Sequence, residues 1–337
     1  MLISTKNWQK ACYYFIFCLL LVIYLTSCGF LPENEPKKLS RSELCLDTVV
    51  TVTLYGSADE TLLDECFSLC RDYELIFSRT DPASELYRLN AAGSMEVSDA
   101  LREVLAAALD YCALSGGKFD ITMGSVSSLY GFSSDTPTVP SPEALSKALS
   151  HVGYENIHVD GHTVTLGDPE AVIDLGAIAK GYIADRLADF LREQGVESAI
   201  IDLGGNIYCL GGKRPAQDFT VGIRFPFRDH SSTIAAVNVS DRSVVTSGIY
   251  ERSFEQDGRL YHHILDPVSG IPCDNELLGV SIVSERSVDG DALSTICFLL
   301  GLEEGMALIE SLEGVSAVFI TEDYALHYAG GFENTLN

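Results

Sequence analysis

Residues 171–185 read AVIDLGAIAKGYIAD. The first four residues form an apolar, β-branched run that reads as a buried strand ending at Asp174. Gly176 permits a tight turn, and an amphipathic helix follows from 178 to 194, closed by Gly195. A strand that feeds straight into a helix start presents free N–H groups and the positive end of the helix dipole, which together attract anions. Lys180 falls in the first helical turn, where a positive side chain opposes that dipole. It reads either as a solvated lysine on a surface helix or as a cation with something negative beside it.

Working outward, TVVTVTLYG at 48–56 alternates as a strand. Apolar residues at Leu62, Cys66, Leu69, Tyr73 and Ile76 mark a helix over 59–77. A second helix runs over 98–114 and stops at Gly116-Gly117. A third begins at SPEAL, with Ser141 as N-cap and Pro142 in the first turn, and is closed by Gly153. Short strands are expected at 158–160 and 163–166. After the central helix come SAIIDLGGN, FTVGIRFP, IAAVNVS, SVVTSG, LYHHILD and LLGVSIVS, all strand-like. Two helices near 292–300 and 303–311 precede a last strand, SAVFIT. Strands and helices intermix without strict alternation, which predicts an α+β fold of mixed sheets flanked by helices.

The chain has 337 residues, 47% of them hydrophobic, which is globular composition. Its formal charge of −26 repels nucleic acid phosphates and excludes nucleic acid as a partner. The same charge repels any anionic small ligand unless a local group of cations or donors offsets it. At the N-terminus, Lys6 and Lys10 precede an uncharged apolar run over 11–24, which is signal-peptide length, and the run ends in LTSC at 25–28. This resembles a bacterial lipobox. The expected organisation is a lipoprotein signal over 1–27, a flexible tether over 28–40 after a lipidated Cys28, and a catalytic domain over 41–337. The body is then lipid-anchored to a bacterial cell membrane on its extracytoplasmic side. Seven of the ten cysteines lie in that body, an odd number without zinc or redox spacing, and they read as small buried hydrophobes.

In DGDALSTICFLLG, Asp291 and Thr295 stand four apart on an apolar helix and share a face. A carboxylate one turn from a hydroxyl offers hard oxygens suited to Mg²⁺. The same pair is equally an acid that complements a helix dipole and a threonine that bonds back along its helix. GGKFDITMG at 116–124 suits a helix end and close backbone approach to a flat ligand. VTSGIY at 245–250 ends a strand in two hydroxyls and a glycine, either for phosphate or as an ordinary turn. In RLYHHILD, strand alternation points His262 and His263 to opposite faces and leaves open which of them works.

SRTDPASELYRLN (78–90), GGKFDITMG, DLGAIAKGYIAD, DLGGN, VTSGIY, HILDPVSGIP and DALST, in this order, together resemble the FAD:protein FMN transferase family, also called ApbE. The resemblance spans 45–320. It implies an ApbE-like (T-fold-like) fold with a cleft between two halves, FAD as substrate, and Mg²⁺ held by Asp291, Thr295 and the carbonyl of Ala177. It further implies that Leu46, Lys118, Phe119, Asp120, Asp174, Lys180 and Ile264 line the flavin nucleotide site, with His263 as general base. FMN would pass to a threonine in a Ser/Thr-Gly-Ala-Thr motif of a separate acceptor, such as subunits of sodium-pumping NADH:quinone reductases or RNF-type complexes, and AMP would leave. This chain has no such tetrapeptide, so modification in trans is expected. Two departures stand out: LDT at 46–48 where many members have Met-Gly-Thr or Met-Asp-Thr, and Thr80 where many have an aromatic that stacks on the flavin. The second keeps an FAD pyrophosphatase in view as an alternative; a non-catalytic flavin-binding lipoprotein is the other.

Overall fold

The computed structural model describes residues 37–56, 59–213, 216–229 and 232–336. It opens with a hairpin of β1 (Lys38–Cys45) and β2 (Thr48–Tyr55), closed by Leu46 and Asp47, both at positive φ. Two such residues give the turn whose twist matches the strands. At Leu46 the left-handed backbone costs about 1 kcal/mol. Strand structure therefore begins at Lys38, and residues 38–40, expected in the tether, pair with the end of β2. The expected leader, tether residues 28–36 and with them Cys28 lie outside the described residues.

The chain continues through α1 (Thr61–Phe77), α2 (Glu85–Ala92), β3 (Ser94–Glu96), α3 (Asp99–Leu114), α4 (Gly124–Tyr130), α5 (Pro142–Leu149), β4 (Ile157–Asp160), β5 (Thr163–Leu166) and α6 (Ala179–Glu193). Then follow β6 (Ala199–Leu203), β7 (Asn206–Leu210), β8 (Phe219–Arg224), β9 (Thr233–Val239), β10 (Arg242–Gly248), β11 (Ser253–Gln256), β12 (Arg259–His262), β13 (Leu277–Ser284), α7 (Ser287–Glu310), β14 (Ser316–Thr321) and β15 (Leu326–Ala329). The fold is α+β. Its main sheet has eight strands in the order β1-β2-β6-β7-β10-β13-β14-β15, and every pair in it is antiparallel.

One face of this sheet packs against α1, α3, α6 and α7 through Val50, Val52, Ile201, Val280 and Ile282. The other is covered by the β8–β9 hairpin through Phe219, Val221, Val237, Val244 and Val283. β13 is accordingly buried at every position. Helix α7 is long and apolar enough to cross a membrane, yet more than half of it is buried inside the protein, as a core helix between sheet and α6 requires. Gly301 (φ 79°, ψ −177°) is non-helical and divides it, so the two expected helices are both present, meeting at Gly301, and the first starts five residues earlier than expected.

The strand expected at 171–174 does not form. Only Val172 pairs, in an isolated parallel bridge to Met123. The side chain of Asn90 takes the place of a neighbouring strand: its amide donates to the Ile173 carbonyl (2.9 Å) and its oxygen accepts the Ile173 N–H (2.8 Å). The segment is extended and apolar as the sequence indicates, but on one side it bonds only the 121–124 backbone and on the other the Asn90 side chain stands in for a strand.

Candidate active site

The N-terminal turns of α6 and α7 meet at Gly181. A Cβ there would stand 2.3 Å from the Ser287 carbonyl oxygen and 2.6 Å from the Val288 Cα, so only glycine permits this approach. The contact lets each helix complete the other. Asp185 on α6 accepts the Ser287 N–H (2.7 Å) and the Val288 N–H (3.1 Å) at the start of α7. Asp291 on α7 accepts the Gly181 N–H (2.9 Å) near the start of α6. The anion attracted to the α6 start is thus, in part, the protein's own carboxylate. Burial raises the Asp185 carboxyl to about 6, against the pull of its two backbone hydrogen bonds.

Asp291 is 4% exposed, and its other oxygen lies 3.6 Å from Lys180 Nζ. Lys180 therefore has the negative neighbour that its place in the first turn calls for. Its Nζ also donates to the Gly176 carbonyl (3.2 Å). Because the Gly181 N–H goes to Asp291, the Ala177 carbonyl four residues earlier has no backbone donor among the described residues. Thr295, one turn beyond Asp291, is half-buried, with its hydroxyl 3.1 Å from Ser247 Oγ at the end of β10.

A carboxylate, a free carbonyl and a hydroxyl are hard oxygen donors, and they fit Mg²⁺, which takes few protein ligands and keeps places for phosphate and water. Among the described residues no group of three or more His, Cys, Asp or Glu side chains is placed to hold a metal. The set suits an ion completed by its substrate rather than one caged by protein. Glu251, unremarked in the sequence, belongs to this neighbourhood. Desolvation raises its carboxyl to about 7; Lys180 pulls the other way and Asp291 adds to the rise. Its Oε1 sits beside Gly205, in the Gly204-Gly205 turn of DLGGN. Gly204 in turn leaves room for Thr48 of the first hairpin.

Strand β12 ends at His262, so the two histidines part company there. His262 is 6% exposed, edge-on to Phe298, and its Nε2 bonds the Cys273 carbonyl (3.1 Å). His263 is half-buried, and its Nδ1 bonds the Arg252 carbonyl (3.3 Å). A carbonyl only accepts, so Nδ1 carries the proton and Nε2 keeps its lone pair. Burial pushes the His263 imidazole down to about 3, and the charges of Arg252 and Lys180 add to the effect. The ring is neutral at physiological pH and able to accept a proton.

The expected nucleotide residues divide into two kinds. Asp174 stays half-buried and is held by Arg79 Nε (3.1 Å), Ser127 Oγ (3.1 Å) and the Gly176 N–H (2.9 Å). Its own N–H donates to the Ile121 carbonyl (2.7 Å), tying it to the Lys118–Asp120 segment. Lys118 reaches toward Asp266 (3.9 Å), in the loop after His263. Phe119 and Ile264, by contrast, bury their side chains in the core at 4% and 3% exposure. The Asp120 carboxylate is taken up by Thr122 and the Tyr154 N–H. These three offer a ligand mainly backbone. Leu46 is half-buried in the hairpin turn, its N–H bonded to Glu74 (3.0 Å). Thr80 is exposed. A cavity of about 530 Å³ lined by Arg186, Arg192, Arg242 and Arg286 contains none of these residues, and its arginines are paired with Asp189, Asp241, Glu285 and Asp185.

A lysine, a buried carboxylate, hydroxyls and a neutral imidazole around two facing helix starts are the equipment of a phosphoryl-group transferase. Comparison with known proteins narrows this class. The family model described as ApbE family matches residues 46–319, and the chain belongs to that family. It is 38% identical over 327 residues to the FAD:protein FMN transferase of Treponema pallidum, covering 90% of each chain. It is 37% identical to one from Klebsiella pneumoniae, covering 86% of this chain and 91% of that one. The solved flavin transferase ApbE from Vibrio cholerae superposes with a TM-score of 0.78 at 29% identity, covering 87% of this chain and 96% of the other. The Thermotoga maritima ApbE protein does so at 0.79 and 28% identity, covering 87% and 97%.

Proposed function

We propose that this protein is a Mg²⁺-dependent FAD:protein FMN transferase that esterifies a threonine of a separate acceptor protein with FMN and releases AMP. The observation that carries the reading is the Asp291–Lys180–Gly181 junction, whose lysine charge is felt at an imidazole with its Nε2 lone pair free. Asp291, Thr295 and the Ala177 carbonyl would hold the ion, which when bound neutralises pyrophosphate charge and polarises a phosphoryl oxygen. Lys180 adds a positive charge beside the same phosphates and offsets the repulsion from an acidic protein. His263 Nε2 accepts the proton of the incoming threonine hydroxyl as the new P–O bond forms. The pyrophosphate P–O bond breaks, and AMP leaves. Asp174, held by Arg79, and the Lys118–Asp120 backbone would orient the nucleotide.

The proposed setting is extracytoplasmic, with the body tethered to the membrane by lipid on Cys28. Acceptors of the sodium-pumping NADH:quinone reductase or RNF type, carrying Ser/Thr-Gly-Ala-Thr, would meet it there. The basis is the leader and lipobox-like LTSC in the sequence. The test incubates the protein with FAD, Mg²⁺ and an acceptor domain bearing that motif, followed by mass spectrometry. A gain of one FMN on the acceptor threonine is the expected result. AMP and free FMN with an unmodified acceptor would mean a pyrophosphatase, the outcome that the exposed Thr80 in place of a stacking aromatic keeps in play. Intact FAD would mean a binding protein.

A further inference from the structure

Four oxygens are linked in a chain that runs from α7 to the end of β10 and back to α7. Ser294 Oγ lies 2.9 Å from the Asp291 carbonyl oxygen. Ser247 Oγ lies 2.8 Å from Ser294 Oγ, and Thr295 Oγ1 lies 3.1 Å from Ser247 Oγ. A carbonyl only accepts, so the single hydroxyl proton of Ser294 is committed to Asp291. Ser294 can then only accept from Ser247. With its proton given to Ser294, Ser247 has only lone pairs left for Thr295, and Thr295 must donate. One proton per hydroxyl fixes the direction of the whole chain. The consequence falls on Thr295: its proton points at β10, and its remaining lone pairs are free to face a cation.

The surroundings hold this arrangement in place. Ser294 is fully buried, so its hydroxyl has no water to turn to. Ser247 is paired with Val280 in the sheet. The next residue is Gly248, where a Cβ would stand 2.6 Å from the Tyr250 ring. We propose that Ser247 is a positioning residue: by accepting the Thr295 proton it turns the lone pairs of that hydroxyl toward the divalent cation. This rests on the reading that Asp291 and Thr295 hold the ion. It also gives the Ser247 hydroxyl of VTSGIY a task other than direct contact with phosphate, while Thr246 bonds Ser281.

The test is direct binding of Mn²⁺, followed by electron paramagnetic resonance of the free ion, to protein saturated with FAD. Ser247→Ala should raise the Mn²⁺ Kd roughly 10-fold, the lower end of what outer-shell partners of metal ligands contribute. Ser247→Thr, which keeps the hydroxyl, should restore it to within about twofold. Ser294→Ala frees the Ser247 proton to compete for the Thr295 lone pairs and should raise Kd about threefold. It approaches the same hydroxyl from the other end, so the idea stays testable if one variant folds poorly. A Ser247→Ala protein that melts at lower temperature but binds Mn²⁺ as tightly as wild type overturns the proposal. Thr295→Ala and Asp291→Ala separate the two levels. If they weaken binding and Ser247→Ala does not, only the relay falls. If neither weakens it, the assignment of the ion fails and the relay with it.

Discussion

Gly181→Ala is the sharpest perturbation of this site, because it adds a methyl group and touches no functional atom. In an unconstrained helix the change would stabilise by about 1 kcal/mol. Here the new Cβ would meet the Ser287 carbonyl oxygen at 2.3 Å, the Val288 Cα at 2.6 Å and the Ser287 carbonyl carbon at 2.7 Å. All three are backbone atoms, so no side chain can rotate away. Relief to ordinary contact needs a separation of roughly 1 Å between the two helix starts, and such overpacking costs about 1–3 kcal/mol. The net expectation is a loss of up to about 2 kcal/mol, or a fall in Tm of up to roughly 4 °C. The same displacement lengthens the bond from the Gly181 N–H to Asp291 and moves that carboxylate away from Lys180. A 1 Å misplacement of this kind costs about 100-fold in rate. The assay pairs thermal melts with FMN transfer followed by mass spectrometry across a Mg²⁺ series. A variant that melts higher than wild type and keeps full transfer would refute the claim that this contact builds the site.

Three further expectations follow from the same geometry. Asp291→Asn keeps the shape but removes the charge beside Lys180, so half-maximal transfer should need roughly 100-fold more Mg²⁺; an unchanged Mg²⁺ curve would exclude Asp291 as a ligand. His263→Ala should abolish transfer while FAD still binds, whereas His262→Ala should cost about 2–3 kcal/mol of stability through lost packing and leave the proton acceptor intact; loss of chemistry at full stability in the second variant would reverse the assignment. Burial pushes His262 down to about 4, so between that value and the usual 6.5 the unfolded chain binds a proton that the folded chain does not. His262 by itself should therefore cost about 2 kcal/mol of stability between pH 7 and pH 4.5; His263 adds to that fall and Asp185 and Glu251 oppose it, so the expected result is a difference of about that size between the pH dependences of wild type and His262→Gln in urea titrations; equal pH dependence in both proteins would rule out the His262 contribution.

Much of the fold was legible because it rests on local signals. The Ser141 cap accepts the Ala144 N–H as expected, and the helix expected from 98 starts at Asp99 with Ser98 accepting the Leu101 N–H. The central helix matches its expected limits within a residue at each end. Helix α1 was placed well, but its buried face is Leu63, Cys66, Phe67 and Cys70, while the expected Leu62, Leu69 and Ile76 are only part-buried. An apolar helix offers more than one stripe, and the neighbouring elements choose between them. What stayed hidden involves partners far apart in the chain. Nothing near Ile173 announces that Asn90 will satisfy its backbone. Nothing near Asp174 announces Arg79, although both lie in motifs that the sequence singled out. The histidine pair was undecided by alternation because β12 stops between them. Only the Cys273 and Arg252 carbonyls, from two other segments, tell the rings apart.

The reciprocal bonds between α6 and α7 carry a mechanical consequence. Each helix lends a carboxylate to the other's opening turn, so neither can slide or roll alone without breaking hydrogen bonds at two places. The pair acts as a rigid jig. Evolution or engineering that seeks a different protein substrate would have to work on the surrounding loops, since the clasp leaves no slack at Asp291.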